Sequence, residues 1–323
     1  MIRGLVIGKF MPVHNGHIAL INFAASQCDE LIVSMSYTDY DTINFQLRFN
    51  WVKEIFADQP GIKPHLIKDD FDNELLPLRE RTKLWAKKMQ EQYPKIHVTF
   101  SSENYGEPFA ENLDARHISF DTARIQIPVS ATLIRTKPLA YWNYIPKNVQ
   151  PYFVKKICFF GPESTGKTYL SNLMAEHYKT SCVAEAARNI LESNVFTEDD
   201  IVNIALTHNT SLQLKLQTAN KLLFCDTDVI TTQIYSQHYL GVIPPMLHEI
   251  ENNTKYDLYF LMNIDAPWVA DPLRDLGERR EEMMHVFKTE LDKRKITYIP
   301  IQGSYEQREK SVKEAIDSLL RKF

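Results

Sequence analysis

The sequence lacks the features that mark several classes of protein. Its 323 residues carry a formal net charge of −4, without the basic excess of nucleic-acid-binding domains, so we expect no nucleic-acid partner. No apolar run approaches the ~20 residues that span a bilayer. The first residues also lack the apolar core and cleavage site of a signal peptide. We therefore expect a cytoplasmic protein without membrane association.

Cysteine is scarce, and its placement argues against a metal or disulfide framework. The four cysteines form no C-x-x-C pair and lie in or beside apolar runs: Cys28, Cys158, Cys182 and Cys225. We interpret them as reduced thiols buried in an intracellular protein.

Two stretches of the chain show the same order of short apolar strand, glycine turn and helix. In the first, residues 5–7 are followed by Gly8, by helical periodicity over residues 17–27 and by a second apolar strand at 31–33. Strand, glycine turn, helix and strand form the βαβ unit of a parallel sheet. The order restarts at residues 156–160, before Gly161.

Further strands are predicted after this restart, and helical stretches separate them: 182–185, 222–226, 257–262 and 297–301. The sequence thus predicts two doubly wound parallel-sheet α/β domains. Their boundary is expected in the proline- and aromatic-rich segment 141–151, which suits an ordered, packed connector. The domains are predicted to cover residues 1–148 and 149–323.

One segment matches the P-loop pattern G-x-x-x-x-G-K-[ST] at every fixed position: Gly161, Pro162, Glu163, Ser164, Thr165, Gly166, Lys167 and Thr168. In such a loop, backbone N–H groups and a helix N-terminus bind the phosphates of ATP. Lys167 is expected to reach the β- and γ-phosphates, and the Thr168 hydroxyl is expected to ligate Mg²⁺. The sequence therefore predicts a kinase-type site for ATP and Mg²⁺.

Charged residues follow the other strands of this second domain. Asp226 and Asp228 end the strand at 222–226, where ligands of open α/β sheets bind. One would serve Mg²⁺ and the other would act as base or bind the acceptor hydroxyl. Of the two, we place Asp226 in the catalytic and Mg²⁺-binding sets; a solvated strand end is the alternative. Glu185 and Arg188 could reach the same crevice.

An arginine-rich run follows the strand at 257–262 and includes Trp268, Arg274 and Arg279. Kinases close such segments over the phosphates during transfer. We therefore expect Arg274 and Arg279 to contact ATP. A solvated, salt-bridged helix start is the alternative.

The first domain carries its own phosphate motif between a strand and a helix, with these candidate residues: Gly8, Lys9, Phe10, His14, Gly16 and His17. The two imidazoles can donate hydrogen bonds to phosphate oxygens, aided by the helix dipole. Near the end of this domain, Ser130, Thr132 and Arg135 supply hydroxyls and a guanidinium. Together the two segments are expected to hold a triphosphate from two sides.

These segments, residues 8–17 and 129–135, resemble the G-x-F-x-P-x-H-x-G-H and I-S-x-T-x-I-R motifs of nucleotidyltransferases. Followed by residues 137–146, 151–154 and the P-loop, they resemble the NadR type over essentially the whole chain. That family combines nicotinamide mononucleotide adenylyltransferase and ribosylnicotinamide kinase activities. The resemblance implies ATP, nicotinamide riboside, nicotinamide mononucleotide and NAD as ligands.

The resemblance also implies roles for individual residues. His14 and His17 would stabilise the ATP phosphates while the mononucleotide attacks the α-phosphorus. Trp85 is similar to the aromatic that stacks on nicotinamide, although a core position fits it equally well. Ser102 and Glu103 would lie on the adenine side.

In the second domain the resemblance implies that Asp226 and Asp228 face the riboside. Trp268 and Arg274 would belong to the lid. Residues 39–71 match no motif, so the mononucleotide pocket is inferred rather than identified.

Other interpretations stay open. Some NadR proteins begin with a helix-turn-helix repressor domain, whereas the catalytic strand here starts at Ile2, so we expect no DNA-binding role. The same motifs would serve a transferase and kinase acting on other acceptors. They would also serve a nucleotide-sensing regulator with a weak or silent transferase. The oligomeric state is open, a homo-oligomer included.

Overall fold

The computed structural model describes residues 1–193 and 195–322, which divide into two compact units, 1–150 and 151–322. All four cysteines are free thiols; Cys158 and Cys225 are buried and the other two are half-buried. Among the described residues, no helix combines the length and apolar character that a membrane crossing requires.

The first unit is built on a parallel sheet with the strand order β3-β2-β1-β4-β5. Its strands are β1 (Arg3–Gly8), β2 (Glu30–Tyr37), β3 (Ile62–Lys68), β4 (Val98–Ser101) and β5 (Arg116–Ser119). Its helices are α1 (Asn15–Ala25), α2 (Phe45–Ile55), α3 (Leu78–Gln92), α4 (Gly106–Asn112) and α5 (Ala131–Thr136). The order reverses beside β1, which places the loop after β1 at the switch point where such sheets bind ligands.

The second unit has a parallel sheet in the order β10-β9-β6-β8-β7. Its strands are β6 (Lys155–Phe160), β7 (Ser181–Val183), β8 (Leu222–Asp226), β9 (Leu258–Met262) and β10 (Tyr298–Ile301). The α-helices from the connector onward are α6 (Gln150–Phe153), α7 (Lys167–His177), α8 (Ala187–Ile190), α9 (Glu198–Leu216), α10 (Val229–Leu240), α11 (Pro245–Asn253), α12 (Arg280–Lys293) and α13 (Tyr305–Lys322). Short 3₁₀ helices cover Trp142–Tyr144 and Gly277–Arg279.

The side chains of central strand β6 explain why helices cover both faces of the second sheet. Ile157 and Phe159 pack in one core cluster with residues of α7 and α13. The alternate residues Cys158 and Phe160 pack in a second cluster with residues of α10 and α12. Because consecutive residues of a strand point to opposite faces, the apolar run Ile157–Phe160 requires a helical layer on each side of the sheet. This arrangement confirms the predicted doubly wound fold.

The first unit follows the same rule. Leu5 of β1 packs with Ala86 and Met89 of α3 and with Phe109 of α4. Its neighbour Val6 is fully buried and, by the pleat of the strand, points to the other face of the sheet. The sheet therefore has an apolar surface on both sides.

The segment before the second unit is packed rather than loose. Leu139, Trp142, Ile145 and Val149 are buried, and the side-chain amide of Gln150 donates to the carbonyls of Trp142 (3.3 Å) and Ile145 (3.1 Å). Apolar anchors and a buried amide fix the course of the chain here.

A substitution at Phe260 tests the packing of the second unit, because this side chain is fully buried and its ring centroid lies 5.3 Å from that of Phe159. We expect Phe260→Ala to lower the free energy of unfolding of this unit by ~3–5 kcal/mol through lost burial and a residual cavity. Urea unfolding of the full chain, followed by tryptophan fluorescence and circular dichroism, measures the change. Leu214→Ala, at an exposed position of α9, is the control and should have little effect. Equal losses in the two variants would contradict the assignment of Phe260 to the core.

Candidate active sites

The two histidines of the first unit hold each other at the start of α1. His14 is the N-cap, and its Nδ1 accepts from the backbone N–H of His17 at 3.3 Å. In return, Nδ1 of His17 accepts from the backbone N–H of His14 at 3.3 Å. The rings stack with centroids 3.6 Å apart. This reciprocal capping box fixes both imidazoles at the positive end of the helix.

Burial determines the charge of the two rings, and the hydrogen bonds determine which nitrogen carries the proton. Burial, with a smaller contribution from the Arg124 cation, lowers the pKa of His14 to about 4. Burial and then the neighbouring His14 and Arg124 hold the pKa of His17 well below its ordinary value. Both rings are therefore neutral at pH 7, and because each Nδ1 accepts a hydrogen bond, each Nε2 carries the proton. The pair can act as two neutral N–H donors to an anion.

Gly16 suits the close packing of this turn. A Cβ at this position would lie 3.1 Å from ring atoms of His14 and 3.6 Å from Val129. A larger residue would displace the His14 ring from its capping position.

The predicted second segment comes to the same loop. Ser130 is the N-cap of α5, and its hydroxyl accepts from the N–H of Leu133 at 3.2 Å. The Arg135 guanidinium donates to the Met11 carbonyl of the histidine loop and to the Thr132 hydroxyl (3.1 Å). The structure therefore brings Arg135 and Thr132 together with the loop that carries His14.

The segment expected on the adenine side lies near a cation that we did not predict. Glu103 is exposed and pairs with Arg124 at 2.5 Å, while Ser102 beside it is half-buried. Arg124 also donates to the Val129 carbonyl at 3.2 Å and affects the pKa of both histidines. Arg124 belongs to no motif that we recognised, so no pattern in the sequence singled it out.

A fully buried arginine supports the loop after β1. Arg48 of α2 donates to the carbonyls of Lys9 and Ile43 (3.0 Å for Ile43) and forms an ion pair with Asp41. A peptide group is rigid and its C=O and N–H point in opposite directions. Holding the Lys9 carbonyl therefore orients the N–H of Phe10. Arg48 lies in the region where the sequence offered no motif.

A cleft of about 210 Å³ opens beside this loop and contains the predicted Trp85. The indole Nε1 donates to Asp72 at 2.8 Å, Arg81 pairs with the same carboxylate at 2.5 Å, and Tyr105 packs edge-on to the indole at 5.6 Å. The other lining residues come from β1, β2 and β3, from the loops after β1 and β3, and from α3: Ile7, Gly8, Lys9, Ser34, Ser36, Ile67, Asp69, Phe71, Glu74 and Met89. Three of these lining residues, Ile67, Asp69 and Phe71, lie in the region 39–71 where the sequence offered no motif.

In the second unit, the predicted P-loop follows β6 and leads into α7. Gly161 has a φ of +144°, and a Cβ there would lie 2.8 Å from the Met262 carbonyl, so glycine is required. Lys167 is buried, and its ammonium donates to the carbonyls of Gly161 (2.9 Å) and Pro162 (2.7 Å). The loop is thus curled around its own lysine.

Asp226 lies at the base of this loop. Its Oδ2 accepts from the Thr168 hydroxyl at 2.5 Å, and its Oδ1 is buried without a hydrogen-bond partner among the described residues. Burial, followed by the nearby Glu185 carboxylate, raises the pKa of Asp226 to about 6. A hydroxyl and a carboxylate with a free lone pair are donors that suit Mg²⁺. Residues 1–193 and 195–322 contain no metal-type cluster of three or more His, Cys, Asp or Glu side chains.

Most of the predicted kinase residues line one cleft of about 340 Å³: Glu163, Ser164, Thr165, Gly166, Lys167, Thr168, Glu185, Arg188 and Arg274. Arg188 bridges Glu185 (3.0 Å) and Asp271 (2.7 Å), and Arg274 donates to the Val269 carbonyl at 2.9 Å. These contacts fix the segment after β9 against α8. Burial also raises the pKa of Glu163 to about 7, so both protonation states of this cleft carboxyl are populated near neutral pH.

Asp228 is a correction to the expected acceptor-facing pair. It is 2% exposed and serves as the N-cap of α10, where its Oδ1 accepts from the N–H of Thr231 at 3.0 Å. Its Oδ2 accepts from the Tyr259 hydroxyl at 2.8 Å. Because the chain turns into a helix directly after β8, the second aspartate is drawn inward as a cap. Both carboxylate oxygens of Asp228 are thus paired within the protein, and Thr227 and Thr231 line the cleft where Asp228 was expected.

The lid region also differs from the expectation. Arg279 is exposed, pairs with Glu282 at 2.6 Å and lies outside the cleft. The next residue, Arg280, points to the P-loop and donates to the Ser164 carbonyl at 3.2 Å and the Ala266 carbonyl at 3.0 Å. Trp268 does not line the cleft; it packs on Gly277 beneath the Arg280 guanidinium. Arg279 ends a 3₁₀ turn and Arg280 begins α12. The two side chains therefore point in different directions, which a run of arginines in the sequence does not indicate.

The apolar wall of the cleft was not predicted. It consists mainly of apolar and aromatic side chains: Ala186, Leu191, Phe196, Ile201, Ile204, Tyr235 and Tyr239. His208 also lines it, with its pKa lowered to about 4 by burial and its Nε2 unpaired among the described residues. The i, i+4 spacing of the two tyrosines on the helix after β8 was the available signal. A mostly apolar wall in the cleft that also contains the P-loop suits a phosphate acceptor that carries a flat, weakly polar group.

Comparison with protein families places a different model on each unit. A cytidylyltransferase-like model matches residues 5–137, and an AAA domain model matches residues 156–308. The trifunctional NAD biosynthesis/regulator protein NadR of Escherichia coli K12 is 31% identical over 324 residues, covering 93% of this chain and 78% of that protein.

The first unit also has a separate relative. The nicotinamide-nucleotide adenylyltransferase of Pyrococcus abyssi is 28% identical over 167 residues, covering 49% of this chain and 84% of that enzyme. A crystal structure of NadR protein in complex with NR shares the fold of the whole chain, with a TM-score of 0.82 at 20% identity, covering 98% of this chain and 95% of that one.

The raised pKa of Asp226 predicts a pH dependence of stability. Because the folded-state pKa of about 6 exceeds the ordinary 3.8, the folded state binds the proton more tightly. The stabilisation is complete below pH ~4 and is lost as the pH rises through ~6. We expect Asp226→Asn to flatten this decline and to stabilise the second unit at pH 7 by up to roughly 3 kcal/mol. Urea unfolding between pH 4 and 8 measures both effects.

The exposed variant Asp199→Asn is the matched control and should keep the pH dependence of the wild type. The same slope in Asp226→Asn as in the wild type would show that Asp226 does not titrate in this range.

Proposed function

The chain belongs to the NadR family, and we propose that it is a bifunctional enzyme that converts nicotinamide riboside to NAD in two ATP-dependent steps. The observation that carries this proposal is one chain with two different phosphate-binding loops, each at the carboxyl end of the central strand of its own parallel sheet. Residues 1–148 would be the mononucleotide adenylyltransferase and residues 149–323 the riboside kinase.

In the transferase unit, the 5′-phosphate of nicotinamide mononucleotide attacks the α-phosphorus of ATP, and pyrophosphate leaves. His14 and His17 donate Nε2–H hydrogen bonds to phosphate oxygens, and Arg124 and Arg135 add positive charge at the same loop. Catalysis is by positioning and charge stabilisation, with no covalent intermediate. A neutral imidazole suits this role, because its Nε2–H group can donate to a phosphate oxygen while the ring itself remains uncharged.

The cleft beside this loop would bind the mononucleotide. Trp85 offers an aromatic face for nicotinamide, and its orientation is fixed by the hydrogen bond to Asp72 and the contact with Tyr105. Ser102 and Glu103 would lie on the adenine side of ATP. The similarity to the Pyrococcus abyssi adenylyltransferase over this unit supports the assignment.

In the kinase unit, the riboside 5′-hydroxyl attacks the γ-phosphorus of ATP, giving the mononucleotide and ADP. The P-loop N–H groups and Lys167 hold the phosphates, and Arg274, which lines the same cleft, adds positive charge. Thr168 and Asp226 would hold Mg²⁺, which when bound neutralises phosphate charge. The aromatic wall with Tyr235 would receive the nicotinamide ring. The crystal structure of NadR protein in complex with NR, which has the same fold, supports the proposal that this chain binds a riboside.

The two reactions are linked, because the product of the kinase is the substrate of the transferase. The remaining expectations stay predictions: a cytoplasmic location, small-molecule ligands without a nucleic-acid partner, and a homo-oligomer as one of the open assembly states.

Separate loss of the two activities tests the proposal. We expect His17→Ala to reduce NAD formation from mononucleotide and ATP by roughly 10²-fold or more, because a phosphate donor is lost, and to leave riboside phosphorylation intact. Lys167→Ala should have the reverse effect. Chromatographic quantification of mononucleotide and NAD measures both rates in each variant.

The exposed variants His248→Ala and Lys310→Ala are matched controls and should keep both activities. Loss of both activities in both His17→Ala and Lys167→Ala, with folding intact, would rule out two independent sites. A wild-type protein with kinase activity alone would indicate a sensor or a transferase with a different acceptor.

A further inference from the structure

The second unit buries an arginine that binds the back of the P-loop. Arg308 of α13 is 1% exposed, and its guanidinium donates to the carbonyls of Gly303 (2.9 Å), Thr165 (2.9 Å) and Asn263 (3.0 Å). It also forms an ion pair with Asp265. A buried guanidinium is stable only when its donors are satisfied in this way.

The acceptors of Arg308 lie in three segments that follow neighbouring strands. Thr165 belongs to the loop after β6, Asn263 and Asp265 follow β9, and Gly303 follows β10. The Asp265 carboxylate also accepts from the N–H of Gly303 at 2.5 Å. Arg308 therefore fixes the P-loop relative to the two adjacent strand ends.

The contact with Thr165 has a geometric consequence for phosphate binding. Since the C=O and N–H of one planar trans peptide point in opposite directions, holding the Thr165 carbonyl from behind turns the N–H of Gly166 to the inner side of the loop. Arg280 holds the preceding carbonyl, that of Ser164, at 3.2 Å in the same way. Phosphate binding by such loops depends on N–H groups that converge on the anion.

We propose that Arg308 is a positioning residue of the kinase reaction, which holds the P-loop in the conformation that binds the ATP phosphates. It does not line the cleft and acts through the loop backbone. Arginine is required because its planar fork reaches several acceptors at once, whereas lysine offers one compact ammonium. The proposal rests on the ATP-dependent kinase function assigned to this unit.

The test is the steady-state kinetics of riboside phosphorylation by full-length Arg308→Lys. We expect the KM for ATP to rise about tenfold or more, which corresponds to about 1.4 kcal/mol, because the loop N–H groups lose their fixed orientation. The KM for the riboside should be unchanged, since its wall does not contact Arg308. NAD formation by the first unit should also be unchanged and serves as an internal control.

A matched arginine separates positioning from general stability. Arg294 of α12 pairs with Glu251 (2.6 Å) and Glu290 (2.5 Å) in the same unit, away from the P-loop. Arg294→Lys should lower the melting temperature without changing the KM for ATP. An unchanged KM for ATP in Arg308→Lys, or an equal rise in both variants, overturns the proposal. If Arg308→Lys does not fold, Asp265→Asn replaces it, with the same kinetic result expected and an unchanged KM for ATP overturning the proposal.

Failure of the kinase assignment is distinguishable from failure of this proposal. If the wild type does not phosphorylate the riboside, the assigned substrate is wrong, and binding of the ATP analogue AMP-PNP is then measured by titration calorimetry. The binding event that is lost in Lys167→Ala is the one that belongs to the P-loop. A weaker affinity at that site in Arg308→Lys supports positioning, and an unchanged affinity overturns it.

Discussion

Both units depend on the orientation of a few peptide groups at the end of a central parallel strand. A loop that binds phosphate must direct its N–H groups inward, so its carbonyls need partners on the outer side. After β1 these partners are Arg48 and Arg135, which hold the carbonyls of Lys9 and Met11. After β6, Arg308 and Arg280 hold the carbonyls of Thr165 and Ser164. Cations that do not line the clefts thus shape both binding loops.

The two units differ in the charge they present to the nucleotide. The transferase unit places two neutral imidazoles near the Arg124 cation, so these two donors to the nucleotide are uncharged N–H groups. The kinase unit combines Lys167 with carboxylates whose burial raises the pKa, as at Asp226. Such carboxylates reduce the stability of the folded unit at neutral pH and are kept where function requires them.

The sequence was sufficient for the fold class and for the residues with a fixed place in a motif. His14, His17 and the P-loop residues lie where a strand ends and a helix begins, and that local order is visible in the pattern. Arg48, Arg124 and Arg308 were not predicted, because their role depends on contacts between segments far apart in the chain.

The prediction of site residues was also limited because the sequence does not specify the direction in which a side chain points. Asp228 lies two residues after Asp226, but capping of α10 turns it inward. Arg279 and Arg280 are adjacent, yet the first pairs with Glu282 in solvent and the second holds the P-loop. One residue decides these outcomes, and sequence spacing does not specify element boundaries to that precision.

The most direct test of the two-site account is a mass-spectrometric product assay on the purified wild-type protein with MgATP. Nicotinamide riboside and nicotinamide mononucleotide are supplied in separate reactions. The account predicts mononucleotide in the first reaction, followed by NAD as it accumulates, and NAD with pyrophosphate in the second. Neither product, from folded protein that still binds ATP, would contradict it and would mean that these two folds act on other substrates.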